Sequence, residues 1–282
     1  MVIGVTGATG QIGGRVARLL ADAGVPQRLL VRDLSRAPTL AGADVVMAGS
    51  YADGDAARRA LEGVNVLLMI SAQESADRLT QHLTFIDAVA DAGVRQIVYT
   101  SFLGASSTAT FTLARDHWTT EEHIRASGMA YTFLRDNLYM DMLPLLVGDG
   151  VMRGPAGTGR ASAVARADVA RVAVEALRNP AHHAGRTYEL TGPEALSLED
   201  VARTITTMTG QPVRYHDETV EEAYASRAKY GAPQWQVEAW VSTYLAIRKG
   251  EMARVTSDVE MVTGAAPMSF RQFLAGHRPS LR

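Results

Sequence analysis

Cysteine is missing from all 282 residues. That removes disulfides, cysteine-ligated zinc and thiol nucleophiles from consideration. Lysine is nearly missing: Lys229 and Lys249 stand alone in a basic set that is otherwise arginine, a pattern of codon bias rather than of ligand binding. Neither sign of charge is in excess, with 28 Lys and Arg against 30 Asp and Glu, so the basic stripe of a generic nucleic-acid binder is not there. Long apolar runs are lacking too. VNVLLMI (64–70) is far shorter than the roughly 20 residues that cross a bilayer. No internal repeat or low-complexity tract interrupts the chain, and from the strand pattern at its first residues no signal peptide is expected. A soluble cytoplasmic protein without nucleic-acid or membrane partners is the expectation. Apolar residues are plentiful, at 47%, enough for a full core in a main domain with a smaller companion.

Apolar runs of strand length recur at 2–6, 27–31, 43–48, 64–70, 95–100 and 129–134. Amphipathic helical segments lie between them, at Gln11–Ala23, Asp55–Leu61, Leu79–Ala92 and Leu113–Ala126. This alternation predicts an α/β fold, a doubly wound parallel sheet of the Rossmann kind covered on both faces. Gly24, Gly63, Gly93 and Gly128 stand where left-handed helix caps are expected. After Leu138 the rhythm changes to a glycine-rich loop region, a helix over 168–178, a strand at 186–190, a helix opened by Ser197, a strand at 212–216 and a helical tail. The expected division is a dinucleotide-binding domain over 1–150 and a smaller mixed substrate or lid lobe over 151–282, with some segments returning to the first domain.

The stretch GATGQIG follows the first strand and opens the first helix. Gly7 allows the tight turn off the strand, Gly10 lets backbone approach a pyrophosphate, and Gly13 lets the helix pack closely on the sheet. The helix N-terminus then presents free amides and a positive dipole end to the anion. The spacing is G-x-x-G-x-x-G, and the whole loop, Gly7, Ala8, Thr9, Gly10, Gln11, Ile12 and Gly13, is expected to bind the cofactor. At the end of the second strand Arg32 occupies the position that selects between cofactors. An acid there would bond the adenine ribose of NAD, whereas arginine pairs with the 2′-phosphate of NADP. Arg36 lies one turn on, and NADPH is the expected cofactor. The ends of later strands complete the expected lining: Ser50 and Tyr51, then Ser71, Ala72 and Gln73, then Thr100 and Ser101. For each serine a plain turn role is an equal alternative.

TGATGQIG, the arginine after strand two, VYTSFLGA after strand five, YTFLRDNLYMD after strand six, VARADVA (164–170) and TYELTGPEALSLEDVA (187–202) together resemble the atypical short-chain dehydrogenases of the NmrA-like group. Within that group the chain is similar to the bacterial NADPH-dependent quinone oxidoreductase type, over almost its whole length. The resemblance implies a Rossmann domain with a small C-terminal lobe, NADPH in the cleft, and reduction of quinones or similar acceptors. It carries a cofactor role to Gly7, Gly10, Gly13, Arg32, Ser71 and Ser101.

One departure from the wider superfamily bears on mechanism. No tyrosine has a lysine four residues on; Tyr131 and Tyr244 are followed at that spacing by Arg135 and Arg248. On the helix after strand five, Leu113 falls in the tyrosine position and His117 in the lysine position. His117 is a candidate ribose contact or acid near neutral pH, its alternative being a partly buried helix histidine bonded to Glu121 one turn away. Asn137, Leu138 and Tyr139 lie where the substrate crevice should open, so Asn137 and Tyr139 join His117 as catalytic candidates. Tyr139, Met140 and Leu143 equally have the spacing of a core face. Asp168 is expected as an N-cap, Ser197 with Asp200 as a capping box, and Trp235, Trp240, Tyr244 and Ile247 as core or lid. No metal site is expected, since His182 and His183 lack carboxylates at ligand spacing.

Three functions remain open on these residues. The first is hydride transfer from NADPH to a flat, electron-poor small molecule such as a quinone. The second is a non-catalytic NADP(H)-sensing regulator of the NmrA type with a regulatory protein partner. The third is a reductase or isomerase of specialised metabolism. A homodimer is compatible with each.

Overall fold

The computed structural model describes residues 1–276. The first half follows the expected alternation: β1 (Ile3–Thr6), α1 (Gln11–Asp22), β2 (Gln27–Val31), β3 (Ala43–Met47), α2 (Gly54–Ala60), β4 (Val66–Met69), α3 (Arg78–Asp91), β5 (Gln96–Phe102), α4 (Thr112–Ala126) and β6 (Ala130–Asp136). The second half adds β7 (Val147–Gly148), β8 (Val151–Gly154), β9 (Arg160–Ala161), α5 (Arg166–Arg178), α6 (Pro180–His183), β10 (Arg186–Leu190), β11 (Leu196–Ser197), α7 (Leu198–Thr209), β12 (Arg214–Asp217), α8 (Val220–Arg227), α9 (Gln234–Arg248), α10 (Asp258–Thr263) and α11 (Phe270–Gly276).

Seven strands form one sheet in the order β10-β6-β5-β4-β1-β2-β3. The chain winds outward from β1 to β3, then returns to pair β4 on the other side of β1. The pairs β1–β2, β1–β4, β2–β3 and β4–β5 are all parallel. Their registers start together, with Ile3 opposite both Gln27 and Val66, so the carboxyl ends of these strands align along one edge. Strands buried on both faces need apolar residues at every position, and β1, β4 and β5 are buried throughout. The expected caps are in place: Gly24, Gly63, Gly93 and Gly128 all have positive φ, from 67° to 79°.

Two compact units divide the chain, and both are discontinuous in sequence. The first contains Met1–Ser101, Asp116–Arg135 and Val169–Tyr188. Its core gathers Leu30, Leu61, Leu67, Phe85, Ile97, Tyr99 and Phe133 between the sheet and its helices. The second contains Phe102–Arg115, Asp136–Asp168 and the chain from Glu189 onward. It carries a three-stranded sheet, β12-β8-β7, and the pair β11-β9. Segments 102–115 and 136–150, expected in the first domain, thus belong to the second unit. Segment 169–188 belongs to the first, because β10 extends the seven-stranded sheet beside β6.

Ser197 and Asp200 form the expected capping box on α7. Asp168 corrects another expectation. It does not cap α5 but lies inside its first turn, where its carboxylate accepts the Met268 amide at 2.7 Å. His182 and His183 sit in α6, and His183 Nδ1 meets the Tyr188 hydroxyl at 2.8 Å. Ile247 joins the second unit's core with Met140 and Leu143, while Tyr244 packs on its margin.

Candidate functional site

The sheet changes winding direction between β1 and β4. In open α/β sheets the ligand crevice lies outside the strand carboxyl ends at such a switch point. The glycine loop forms one wall of it. Gly7 takes the left-handed conformation, φ 64°, which only glycine adopts without strain. Gly10 caps α1 with no side-chain hydrogen bond, and its amide bonds back to the Gly7 carbonyl at 2.8 Å. The following amides, of Gln11, Ile12 and Gly13, are first-turn donors with no intrahelical acceptor. α1 has no acidic residue in its first turn to occupy them.

Glycine is needed at Gly13 for another reason: a Cβ there would lie 2.4 Å from the Gly7 carbonyl oxygen and 2.5 Å from that of Thr6. The helix therefore rests directly on the loop's backbone. At Gly10 a Cβ would meet only the Gly7 oxygen, at 3.2 Å. Ala8 and Ile12 turn their side chains into the core, whereas Gly7, Thr9, Gly10 and Gln11 are exposed. An exposed glycine-lined turn running into uncapped amides is what a pyrophosphate requires of a protein, so the residues fit a dinucleotide.

Beyond β2, Arg32 is exposed just before a short 3-10 turn, Leu34–Arg36, whose N-cap is Asp33 and whose last residue, Arg36, is also exposed. Asp33 is engaged by Ser35, whose amide and hydroxyl bond its Oδ1 at 2.9 and 2.7 Å. Those bonds hold its carboxyl below the usual carboxylate range. After β3, Ser50 plays the turn role: its hydroxyl accepts from Ala52 N and its carbonyl from Asp53 N. Tyr51 stacks on Phe85 at 4.1 Å, and its hydroxyl lies 2.6 Å from Thr6 Oγ1 and 2.8 Å from the Ile70 carbonyl. Burial pushes this phenol well above its ordinary range.

The β4 wall is built from backbone. Ser71 N donates to Thr100 Oγ1 at 2.8 Å, Ala72 N donates to His82 Nε2 at 2.9 Å, and Arg78 Nε donates to the Ala72 carbonyl at 3.0 Å. Thr100 is a correction: it is buried, with its hydroxyl accepting from Ser71, and so supports the wall rather than lining it. Ser101 is a second correction. It is fully buried and donates to Glu121 Oε1 at 2.6 Å. Glu121 is itself fully buried, with Arg135 donating to both its oxygens at 2.8 and 2.6 Å.

His117 is buried between Arg78 and Tyr99. Arg78 Nη2 lies 2.9 Å from its Nε2, and the Tyr99 hydroxyl lies 2.8 Å from its Nδ1. Since the guanidinium only donates, Nε2 must accept and Nδ1 must carry the proton. Burial, with the charge of Arg78, holds the imidazole well below its usual pKa. His117 is therefore a neutral, fully engaged histidine and not the acid or the Glu121 partner anticipated from helical spacing. Asn137 is also corrected. It is buried, its amide donates to Ser162 Oγ and to the Met252 carbonyl at 2.9 and 3.0 Å, and its Oδ1 accepts from Leu138 N. It latches the chain after β6 to the segment near Met252. Tyr139 remains partly exposed. Its hydroxyl donates to Asp136, and Arg166 lies over its ring at 4.7 Å. Burial and the Asp136 carboxylate raise its pKa well above 10.

The polar pair Arg78 and His82 was missed from the sequence. The signal was present: both fall on the buried face of α3, in line with Phe85, Ile86 and Val89, where apolar residues are the rule. Among the described residues no cluster of His, Cys, Asp or Glu has metal-binding geometry, and no helix is long and apolar enough to cross a membrane.

Comparison with known proteins agrees with this geometry. Residues 7–180 match the NAD(P)H-binding family model, and the chain belongs to that family. It is an NAD(P)H-dependent oxidoreductase on a Rossmann fold. It is 31% identical to the NAD(P)H azoreductase of Xenophilus azovorans, over 97% of this chain and 96% of the relative. It is 34% identical to quinone oxidoreductase 2 of Escherichia coli K12, over 88% and 89%. An NADPH-dependent quinone oxidoreductase from Escherichia coli, solved in complex with NADPH, superimposes with a TM-score of 0.88 at 31% identity, covering 98% of this chain and 99% of that one.

Proposed function

We propose that the protein reduces quinones or similarly electron-poor flat acceptors with NADPH. The observation that carries this reading is the missing acid. Leu113 stands where the superfamily's tyrosine would be, and His117, in the lysine position, is buried, neutral and bonded at both ring nitrogens. Reduction of a plain ketone produces an alkoxide, which needs a proton from a positioned donor. A quinone becomes a stabilised phenolate and takes its proton from water. A site that orients and excludes, without a general acid, suits the second kind of acceptor. Relatives named for azo and quinone reduction support the same class.

The loop Gly7–Gly13 and the first-turn amides of α1 would hold the pyrophosphate, and Arg32 the 2′-phosphate. The bound nicotinamide would supply the hydride. Ser71, Ala72 and Gln73 would border it as backbone. Tyr139, kept protonated by its Asp136 contact, would not serve as the acid. Asn137 would hold that segment in place.

Steady-state NADPH oxidation, followed by loss of the nicotinamide absorbance, tests the proposal with two acceptor sets. Turnover of benzoquinones and naphthoquinones with little or none of plain ketones is the expected result. Ketone reduction that disappears in His117→Ala would make His117 the acid and overturn it. Tight NADPH binding without oxidation by any acceptor would point to a sensor.

A further inference from the structure

The three residues after β4 are held by side chains to an unusual degree. Ile70 N donates to Thr6 Oγ1 at 2.9 Å, and the Tyr51 hydroxyl donates to Ile70 O at 2.8 Å. Ser71 N donates to Thr100. Ala72 is gripped at both ends of its backbone, its N–H by His82 and its carbonyl by Arg78. These side chains come from β1, β5, α3 and the turn after β3. The segment continues past Ile70, whose side chain lies 3.2 Å from where a Cβ on Gly7 would sit. It is therefore the wall facing the glycine loop across the switch point.

Arg78 and His82 are an odd choice for packing a helix. Arg78 is the first residue of α3, where the helix dipole disfavours a cation. It is 4% exposed and His82 is fully buried, so neither reaches a ligand. Both are braced from α4. His82 Nδ1 lies 3.0 Å from Thr120 Oγ1, which donates to the Asp116 carbonyl at 2.7 Å. Arg78 reaches Asp116 Oδ2 at 3.3 Å and His117 Nε2 at 2.9 Å. An apolar pair would bury α3 with no desolvation cost. What the polar pair adds is orientation of one peptide.

We propose that Arg78 and His82 are positioning residues: a two-point clamp on Ala72 that sets the β4 wall for the nicotinamide half of the cofactor. This rests on the crevice lying at the β1/β4 switch point. The adenosine half, on the Arg32 side, is not clamped by them. Losing the clamp displaces the wall against the nicotinamide and leaves the adenosine subsite as it was.

The two halves separate in a binding experiment on the full chain. NADPH spans both subsites, whereas adenosine 2′,5′-bisphosphate occupies only the second. His82→Leu removes the acceptor for Ala72 N. It should weaken NADPH about tenfold and lower kcat about tenfold, since small misplacements near the reacting centre are costly. Its affinity for the bisphosphate should stay within about twofold of wild type. His82→Gln, which accepts from Ala72 and donates to Thr120 without ionising, should restore both NADPH readouts. Wild-type NADPH affinity and kcat in His82→Leu would overturn the proposal, as would a parallel loss of bisphosphate affinity, which marks general damage. If His82→Leu does not fold, Arg78→Met releases the other end of the clamp, the Ala72 carbonyl. The same split is then required, and an unchanged NADPH affinity refutes the clamp. A wild-type protein that binds neither ligand overturns the cofactor reading itself, an outcome distinct from failure of the clamp, in which wild type binds both.

Discussion

Acid should destabilise this protein well before its carboxylates titrate, and His82 gives the effect a size. The folded-state pKa of His82 is brought down from 6.5 to about 3, first by burial and then by the Arg78 guanidinium. The unfolded chain accepts a proton that the folded protein refuses. Stability is therefore complete above the unfolded value of about 6.5 and declines as pH falls from there toward 3. Between roughly pH 7.5 and 5, a histidine that ionises only when unfolded removes about 2 kcal/mol. His117 is shifted in the same direction by burial and by Arg78, and adds a loss of the same sign. Asp33, Asp77 and Asp200, held below their ordinary range by hydrogen bonds, act only further into acid. Equilibrium urea unfolding of wild type and His82→Gln at the two ends of that window isolates the single side chain. Glutamine keeps the acceptor for Ala72 and the donor for Thr120 but binds no proton. The variant should lose about 2 kcal/mol less than wild type on acidification. Identical pH dependence in the two proteins would refute the buried neutral histidine.

Arg32→Ala should weaken NADPH about ten- to hundredfold, the value of one charge-assisted bond, and leave NADH little changed; equal losses in a titration of both cofactors would remove Arg32 from the 2′-phosphate. Gly10→Val should abolish cofactor binding and keep a cooperative thermal transition. Its φ of −97° and ψ of −177° suit a branched residue, and its Cβ would meet only the Gly7 oxygen at 3.2 Å. Normal NADPH binding by that variant would mean that the pyrophosphate lies elsewhere. Gly13→Ala should instead lower the melting temperature, because its Cβ would enter backbone at 2.4 Å, an overpacking cost of about 1–3 kcal/mol or more; an unchanged transition would contradict the close packing of α1 on the loop.

Local rules were enough to read the alternation of β1 to β6 with α1 to α4, the left-handed glycine caps, the capping box at Ser197 and the glycine loop. Each depends on residues within a few positions of one another: apolar periodicity, a missing Cβ, a hydroxyl three residues before an acid. The same logic placed His117 near Glu121, because i and i+4 face each other on a helix. Only the tertiary structure decided otherwise. Arg78 and Tyr99, 39 and 18 residues away, converge on that imidazole from α3 and β5, while Arg135 from β6 and Ser101 from β5 take the glutamate. Asn137 likewise reads as a crevice residue from its place after β6, yet its amide is claimed by Met252, 115 residues on. The partition of the chain shows the same limit, since β10 joins the first unit's sheet long after the chain has left it. A buried polar side chain must find its hydrogen-bond partner wherever the fold brings one. That partner is set by which strands and helices become neighbours, a property of the whole chain that no short window of it contains.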